Sequence, residues 1–429
     1  MRKTMLALLV LIMSQLSAWA ASDTVVVEVH GGRAAALAAQ FGGKVIDEIQ
    51  GTSYVLMRVP SAAALARHPM VVSAELNDAV TLKPAGRLGI LKTPASGAAE
   101  WYAQQPAMKL IRADKALAFS RGRRVVVADL NSRIDYGHSA LVGHLTGGYD
   151  FVSERAARGA SLDQSSASFL DQSSAAFLDQ SSAAFLDQSS AAFLDQSTAA
   201  FLDQSTASFL DQSSASFLDA TNPAHGHGTF CAGLIAAVAP EAMIMPLRVF
   251  DDNGAADAFV IARAIHYAVQ HGADVINMSF GLTSDMKVVK RAVAFAIERG
   301  VIVVASAGNS NTNAPQFPAA YNDVIGVAAT DLMDKKASFS NFGKSIFVDA
   351  PGVHIISAYP GGYYALSSGT SFSAPLVAGE AALLKSASFK GAEKAVAKGT
   401  VNIDSKNPDY ARQLGFGRID MVKALQSLD

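Results

Sequence analysis

Residues 369–385 read Gly-Thr-Ser-Phe-Ser-Ala-Pro-Leu-Val-Ala-Gly-Glu-Ala-Ala-Leu-Leu-Lys. A glycine turn delivers a serine to the start of an apolar helix, and Pro375 is read into the first helical turn, where its missing N–H costs nothing. Ser371 then lies where unpaired backbone N–H groups point outward, a setting that suits an exposed nucleophile and a developing oxyanion. The plain alternative is an N-cap serine, which is common.

Working outward, short β-branched runs at 125–130, 243–249, 275–279, 301–305 and 324–328 alternate with helical segments such as 258–270 and 287–298. That alternation predicts an α/β fold, a mostly parallel sheet covered on both faces. Upstream, residues 24–82 read strand, helix, strand, strand, helix, strand, which is the split ferredoxin-like pattern of a small α+β unit. The Pro-, Gly- and Ala-rich stretch that follows reads as a linker.

The chain has 429 residues and 50% hydrophobic content, enough for more than one folded unit. Its 35 basic and 37 acidic residues give no electrostatic case for nucleic acid or an anionic membrane as partner. A single cysteine, Cys231, excludes an intramolecular disulfide. Arg2 and Lys3, then an apolar run at 5–13 and Ala18-Trp19-Ala20, read as a secretory signal too short to span a bilayer.

Phe-Leu-Asp recurs every eight residues from Phe169 to Phe217. Eight residues of α-helix turn through about 800°, so each Phe would drift by about 80° per copy and no straight helix keeps them on one face. A stacked array would suit the period better. The Ser-, Ala- and Gln-rich composition favours a flexible or weakly ordered insertion at 161–218.

Two further strings join Ser371. His225-Gly226-His227-Gly228-Thr229-Phe230-Cys231-Ala232-Gly233 opens a helix with small residues around His227. Val303-Val304-Ala305-Ser306-Ala307-Gly308-Asn309 is a buried strand ending in an asparagine. Together with Ile276-Asn277-Met278-Ser279-Phe280-Gly281, Phe339-Ser340-Asn341-Phe342-Gly343, Ala350-Pro351-Gly352 and Gly415-Phe416-Gly417-Arg418-Ile419-Asp420, they resemble the subtilisin-like serine proteases (subtilases) over residues 107–429 apart from the repeat. The resemblance implies a three-layer subtilisin-like fold and a secreted serine endopeptidase acting through an acyl-enzyme. Ser371 would be the nucleophile, His227 the general base, and Asn309 an oxyanion donor beside the Ser371 backbone N–H. Ser279, Phe280 and Gly281 would pair with substrate backbone.

The resemblance also divides the chain: signal peptide 1–20, propeptide-like inhibitor domain 21–83, linker 84–106 and peptidase domain 107–429. The partners it implies are polypeptide substrates and the chain's own propeptide in cis, in a secreted or periplasmic protein free of the membrane after signal removal. No cofactor is implied. A calcium site of the family kind finds no support, because Ala140 replaces the acidic residue and the loop inside the histidine helix is absent. Cys231 is expected as a buried thiol and His225 as a surface residue.

One segment departs from the pattern. Where the family reads Val-Ala-Val-Ile-Asp-Thr-Gly, this chain reads Val127-Ala128-Asp129-Leu130-Asn131-Ser132-Arg133, so Asn131 holds the catalytic aspartate position. In a Ser-His-Asp protease the Asp-to-Asn change lowers turnover by about 10⁴-fold through the wrong histidine tautomer. Asp129 faces the same side of the strand and is a candidate substitute, about 6.6 Å back along it; Arg124 and Arg133 are its plain partners. The alternative function is therefore an impaired pseudoprotease or peptide-binding protein. A third is an adhesive protein that works through its repeat.

Overall fold

The computed structural model describes residues 23–82, 89–91, 102–157, 224–388 and 391–428. The signal segment and the octapeptide repeat lie outside the described residues.

The N-terminal unit follows the expected element order. Strands Asp23–Val29, Lys44–Glu48, Tyr54–Val59 and Val71–Leu76 form one antiparallel sheet, with helices Ala34–Gln40 and Ala62–Leu65 between them. In the sheet the first strand lies between the third and the fourth. Val25, Val27, Met57 and Val59 alternate inward from its strands against Leu37 and Leu65 of its helices, and make a small core of their own.

The body is built on a ten-stranded sheet. Eight consecutive strands run parallel in the order Arg418–Ile419, Val348–Pro351, Ile325–Thr330, Ile302–Ser306, Val275–Met278, Val126–Asn131, Met243–Arg248, Gly148–Asp150. The α/β expectation holds, with antiparallel pairs only at the two edges. One core on the first face joins Val127, Val275 and Val304 to helices His227–Val238 and Thr370–Ala387. The other joins Ala128, Leu130, Ile276 and Met278 to helices Ala258–Gln270 and Lys287–Glu298. Strands buried on both faces explain why these segments read as unbroken apolar runs.

After Val126–Asn131 the chain forms the edge strands Gly148–Asp150 and Arg155–Ala157 and then Met243–Arg248, all on one side, before it crosses to Val275–Met278 on the other. Strand order therefore reverses at Val126–Asn131, and its carboxyl end is where an open α/β sheet offers a crevice.

The N-terminal unit docks on the body. Glu75 accepts the backbone N–H groups of Lys287 (3.0 Å) and Val288 (2.8 Å) at the start of helix Lys287–Glu298. Asn77 Oδ1 accepts the Phe259 N–H (3.1 Å) at the start of helix Ala258–Gln270. These contacts satisfy orphan helix donors and place a carboxylate at a positive helix end. Ala79–Thr81 then pairs antiparallel with Ala255–Asp257. The stretch read as linker is partly held: Gly89–Leu91 pairs with Tyr363–Ser367, and Tyr102 is buried, its hydroxyl donating to Gly233 O (3.1 Å).

Candidate active site

Ser371 is the second residue of helix Thr370–Ala387 and is buried. The helix begins earlier than expected, so Pro375 sits in its second turn. A proline there cannot donate to the carbonyl four residues back. That carbonyl belongs to Ser371, and the Cys231 thiol donates to it instead (3.5 Å). Cys231 is fully buried as expected, and burial pushes its thiol well up, the charge of Asp129 adding to the effect.

His227 opens its helix because Gly226, at φ 78°, turns the chain into it. A Cβ at Gly226 would meet the Tyr359 ring at 2.1 Å, and one at Gly228 would meet Ser132 O at 2.5 Å. Glycine at 228 lets the helix start approach the segment just after Asn131, and glycine at 226 lets it pack on the Tyr359 ring. His225 is half-buried against the Tyr359 ring (5.7 Å), not the surface residue expected.

Asn131 ends the Val126–Asn131 strand, and its Oδ1 accepts from His227 Nδ1 at 2.7 Å. The same oxygen accepts the Ser132 backbone N–H (2.9 Å). Its Nδ2 donates to both oxygens of Asp129 (3.3 Å each). The Ser132 N–H can only donate, and Asp129 faces the other end, so the end of the amide toward His227 is oxygen. With Nδ1 carrying the proton, His227 Nε2 is the basic nitrogen. Burial pushes the imidazole down to about 4, with no carboxylate in contact to offset it.

Asp129 does not touch Arg124 or Arg133, the partners expected for it; Arg133 lies 3.7 Å from Asp252. Its Oδ1 accepts Asn277 Nδ2 at 2.7 Å. The parallel register pairs Asp129 with Asn277 directly, and both are buried. Burial pushes the Asp129 carboxyl up to about 7, while the Asn277 and Asn131 amides pull the other way.

Asn309 follows its strand as expected. Its Oδ1 accepts from Thr370 N (2.9 Å) and Thr370 Oγ1 (2.8 Å), which leaves the amide N–H₂ as a donor next to the Ser371 backbone. The turn is held by Asn341, whose Oδ1 accepts Ser310 N and Thr312 N and whose Nδ2 donates to Ala307 O.

The Ser371 hydroxyl donates to Ser279 O at 3.0 Å. Among the described residues no hydrogen bond joins it to His227. Ser279 and Phe280 are buried and Gly281 is half-buried, so substrate pairing at this segment would run through backbone and not through the Ser279 or Phe280 side chains. Sequence reading missed three groups: the Asn277 side chain, the Ser279 carbonyl and the Thr370 hydroxyl. Each lay inside a quoted string, but only register and helix position give it a partner.

A family model described as the subtilase family, Peptidase_S8, matches residues 122–417. The chain belongs to the subtilase family. Thermitase of Thermoactinomyces vulgaris is 40% identical over 213 residues, 47% of this chain and 75% of thermitase. A thermophilic serine proteinase of Bacillus sp. (strain AK1) is 44% identical over 172 residues, 38% of this chain and 43% of that protein. The match thus spans most of the first relative and less than half of the second. Among solved structures, fervidolysin from Fervidobacterium pennivorans superposes with TM-score 0.68 at 22% identity, covering 94% of this chain and 61% of that one, which is a likeness of fold.

Proposed function

We propose that this subtilase is a secreted serine endopeptidase, released from its N-terminal unit before it acts on polypeptides. Ser371 attacks the scissile carbonyl and His227 Nε2 takes its proton. The Asn309 amide and the Ser371 backbone N–H receive the oxyanion. The observation that carries the reading is the 2.7 Å bond from His227 Nδ1 to Asn131 Oδ1, which selects the productive tautomer without a carboxylate in contact. The Ser371 hydroxyl has to turn from Ser279 O toward His227 when substrate enters; catalytic bonds are often unformed before the substrate complex.

The N-terminal unit reads as a propeptide acting in cis. Support comes from Glu75 and Asn77 at the two helix starts, and from the pairing of Ala79–Thr81 with Ala255–Asp257, which leads the chain along the body.

A second reading, a peptide-binding protein with little turnover, draws on the same hydroxyl: a serine donating to Ser279 O beside an uncharged Asn131 is not an activated nucleophile. The intact mass of protein expressed from residue 21, beside its Ser371→Ala variant, separates the two. Loss of the N-terminal unit only when Ser371 is present supports the endopeptidase. Two full-length, folded proteins that resist a fluorophosphonate probe support the binding protein.

A further inference from the structure

Asn131 presents oxygen to the histidine only if its neighbours hold the amide that way round. A lone amide beside an imidazole can offer its N–H₂ to Nδ1, which forces the proton onto Nε2 and removes the base; that is why aspartate is normally required. Here the amide is not alone. Asp129, two residues back on the same face of the strand, takes both hydrogen bonds from Asn131 Nδ2. It is 3% exposed, among apolar neighbours, where an ionisable group is costly without partners. Its other partner is the register-paired Asn277, whose Nδ2 donates to Asp129 Oδ1 (2.7 Å) and to Ser279 Oγ (3.0 Å). Once ionised, above about pH 7, the carboxylate can only accept from these amides, so both turn their nitrogens toward it.

The geometry points to Asp129 as a positioning residue for catalysis: it acts through the Asn131 amide to hold His227 in the Nδ1–H tautomer, so that a two-residue relay replaces the single aspartate. This rests on the endopeptidase reading of the site. Ser132 N–H, donating to Asn131 Oδ1, works in the same sense from the other end of the amide. Asp129 touches neither His227 nor Ser371, so the proton Nε2 gains from Ser371 passes to the leaving amine and never to Asp129.

The test is made on the full chain, uniformly ¹⁵N-labelled at histidine, with His227 assigned by its loss in His227→Ala. In the wild type, ring ¹⁵N shifts report His227 as the Nδ1–H tautomer. In Asp129→Val and in the near-isosteric Asp129→Asn they report a mixture or the Nε2–H form. The kcat on an unfolded peptide substrate falls by about 10–100-fold, the size of loss known when the outer partner of a metal-bound histidine is removed, while KM holds. The double variant Asp129→Val/Asn131→Asp, which puts a carboxylate directly on His227, recovers turnover that Asp129→Val lacks.

An unchanged tautomer and kcat in both single variants would overturn the proposal, as would a double variant no better than Asp129→Val. If the wild type neither cleaves peptide nor takes up the fluorophosphonate, the endopeptidase reading falls. The tautomer comparison then still decides whether Asp129 orients Asn131.

Discussion

Asn131 Oδ1 accepts from His227 Nδ1 at 2.7 Å while Asn131 Nδ2 faces Asp129, so one amide bridges the base and a buried carboxylate. Converting that amide to a carboxylate in Asn131→Asp adds negative charge beside the imidazole. The His227 pKa, held down to about 4 by burial, rises, and the acid limb of kcat/KM moves to higher pH. The limb is read from a pH–rate profile on an unfolded peptide. A limb that stays in place would mean that another group controls it.

Asp129 makes stability depend on pH. Its folded pKa is about 7, raised from 3.8 by burial. Between those values the folded chain holds a proton that the unfolded chain has lost. The penalty is therefore absent below pH 3.8, grows through this window and is complete above about pH 7. Relative to Asp129→Asn, the wild type should lose stability by up to about 1.4 kcal/mol per pH unit across the window. Urea unfolding of both proteins at pH 5 and pH 8 measures the difference in slope, and parallel pH profiles would contradict it.

Gly228→Ala puts a Cβ 2.5 Å from Ser132 O and 2.9 Å from Arg133 O, both backbone atoms. The helix start must move away from the strand that holds Asn131. The expected cost is about 1–3 kcal/mol of stability, as for overpacking elsewhere, with a fall in kcat as His227 shifts. Chemical denaturation and steady-state kinetics on the same sample read both effects.

Cys231 is fully buried, donates to Ser371 O, and its thiol is pushed well up. The native protein should leave it unmodified by a thiol reagent that labels it fully in urea. Rapid labelling of the native state would mean that the contact between the two buried helices opens.

Glu75→Ala, placed in a Ser371→Ala background to prevent self-cleavage, removes the acceptor for the Lys287 and Val288 N–H groups. Loss of such a cap costs about 0.5–2 kcal/mol. Faster hydrogen exchange through residues 23–82 is the expected readout, and unchanged exchange would show that the N-terminal unit is held by other contacts.

The sequence by itself determined the α/β class, the order of elements in the N-terminal unit and the strings that carry Ser371, His227, Asn309 and Asn131. These are local properties: a hydrophobic period, a glycine before a helix, an asparagine after a strand. Helices Ala258–Gln270 and Lys287–Glu298 were legible to the residue for the same reason. Spacing along the chain could place Asp129 on the same face as Asn131, but it could not give the carboxylate a partner. That depended on Asn277, which lies 148 positions away and meets Asp129 only through the register of two parallel strands. The same holds for the Ser371 carbonyl left open by Pro375 and met by Cys231 from another helix, and for Glu75 at the start of helix Lys287–Glu298. A buried polar group must find its hydrogen-bond partner wherever the packed chain brings one, so those pairings were decided by tertiary structure alone.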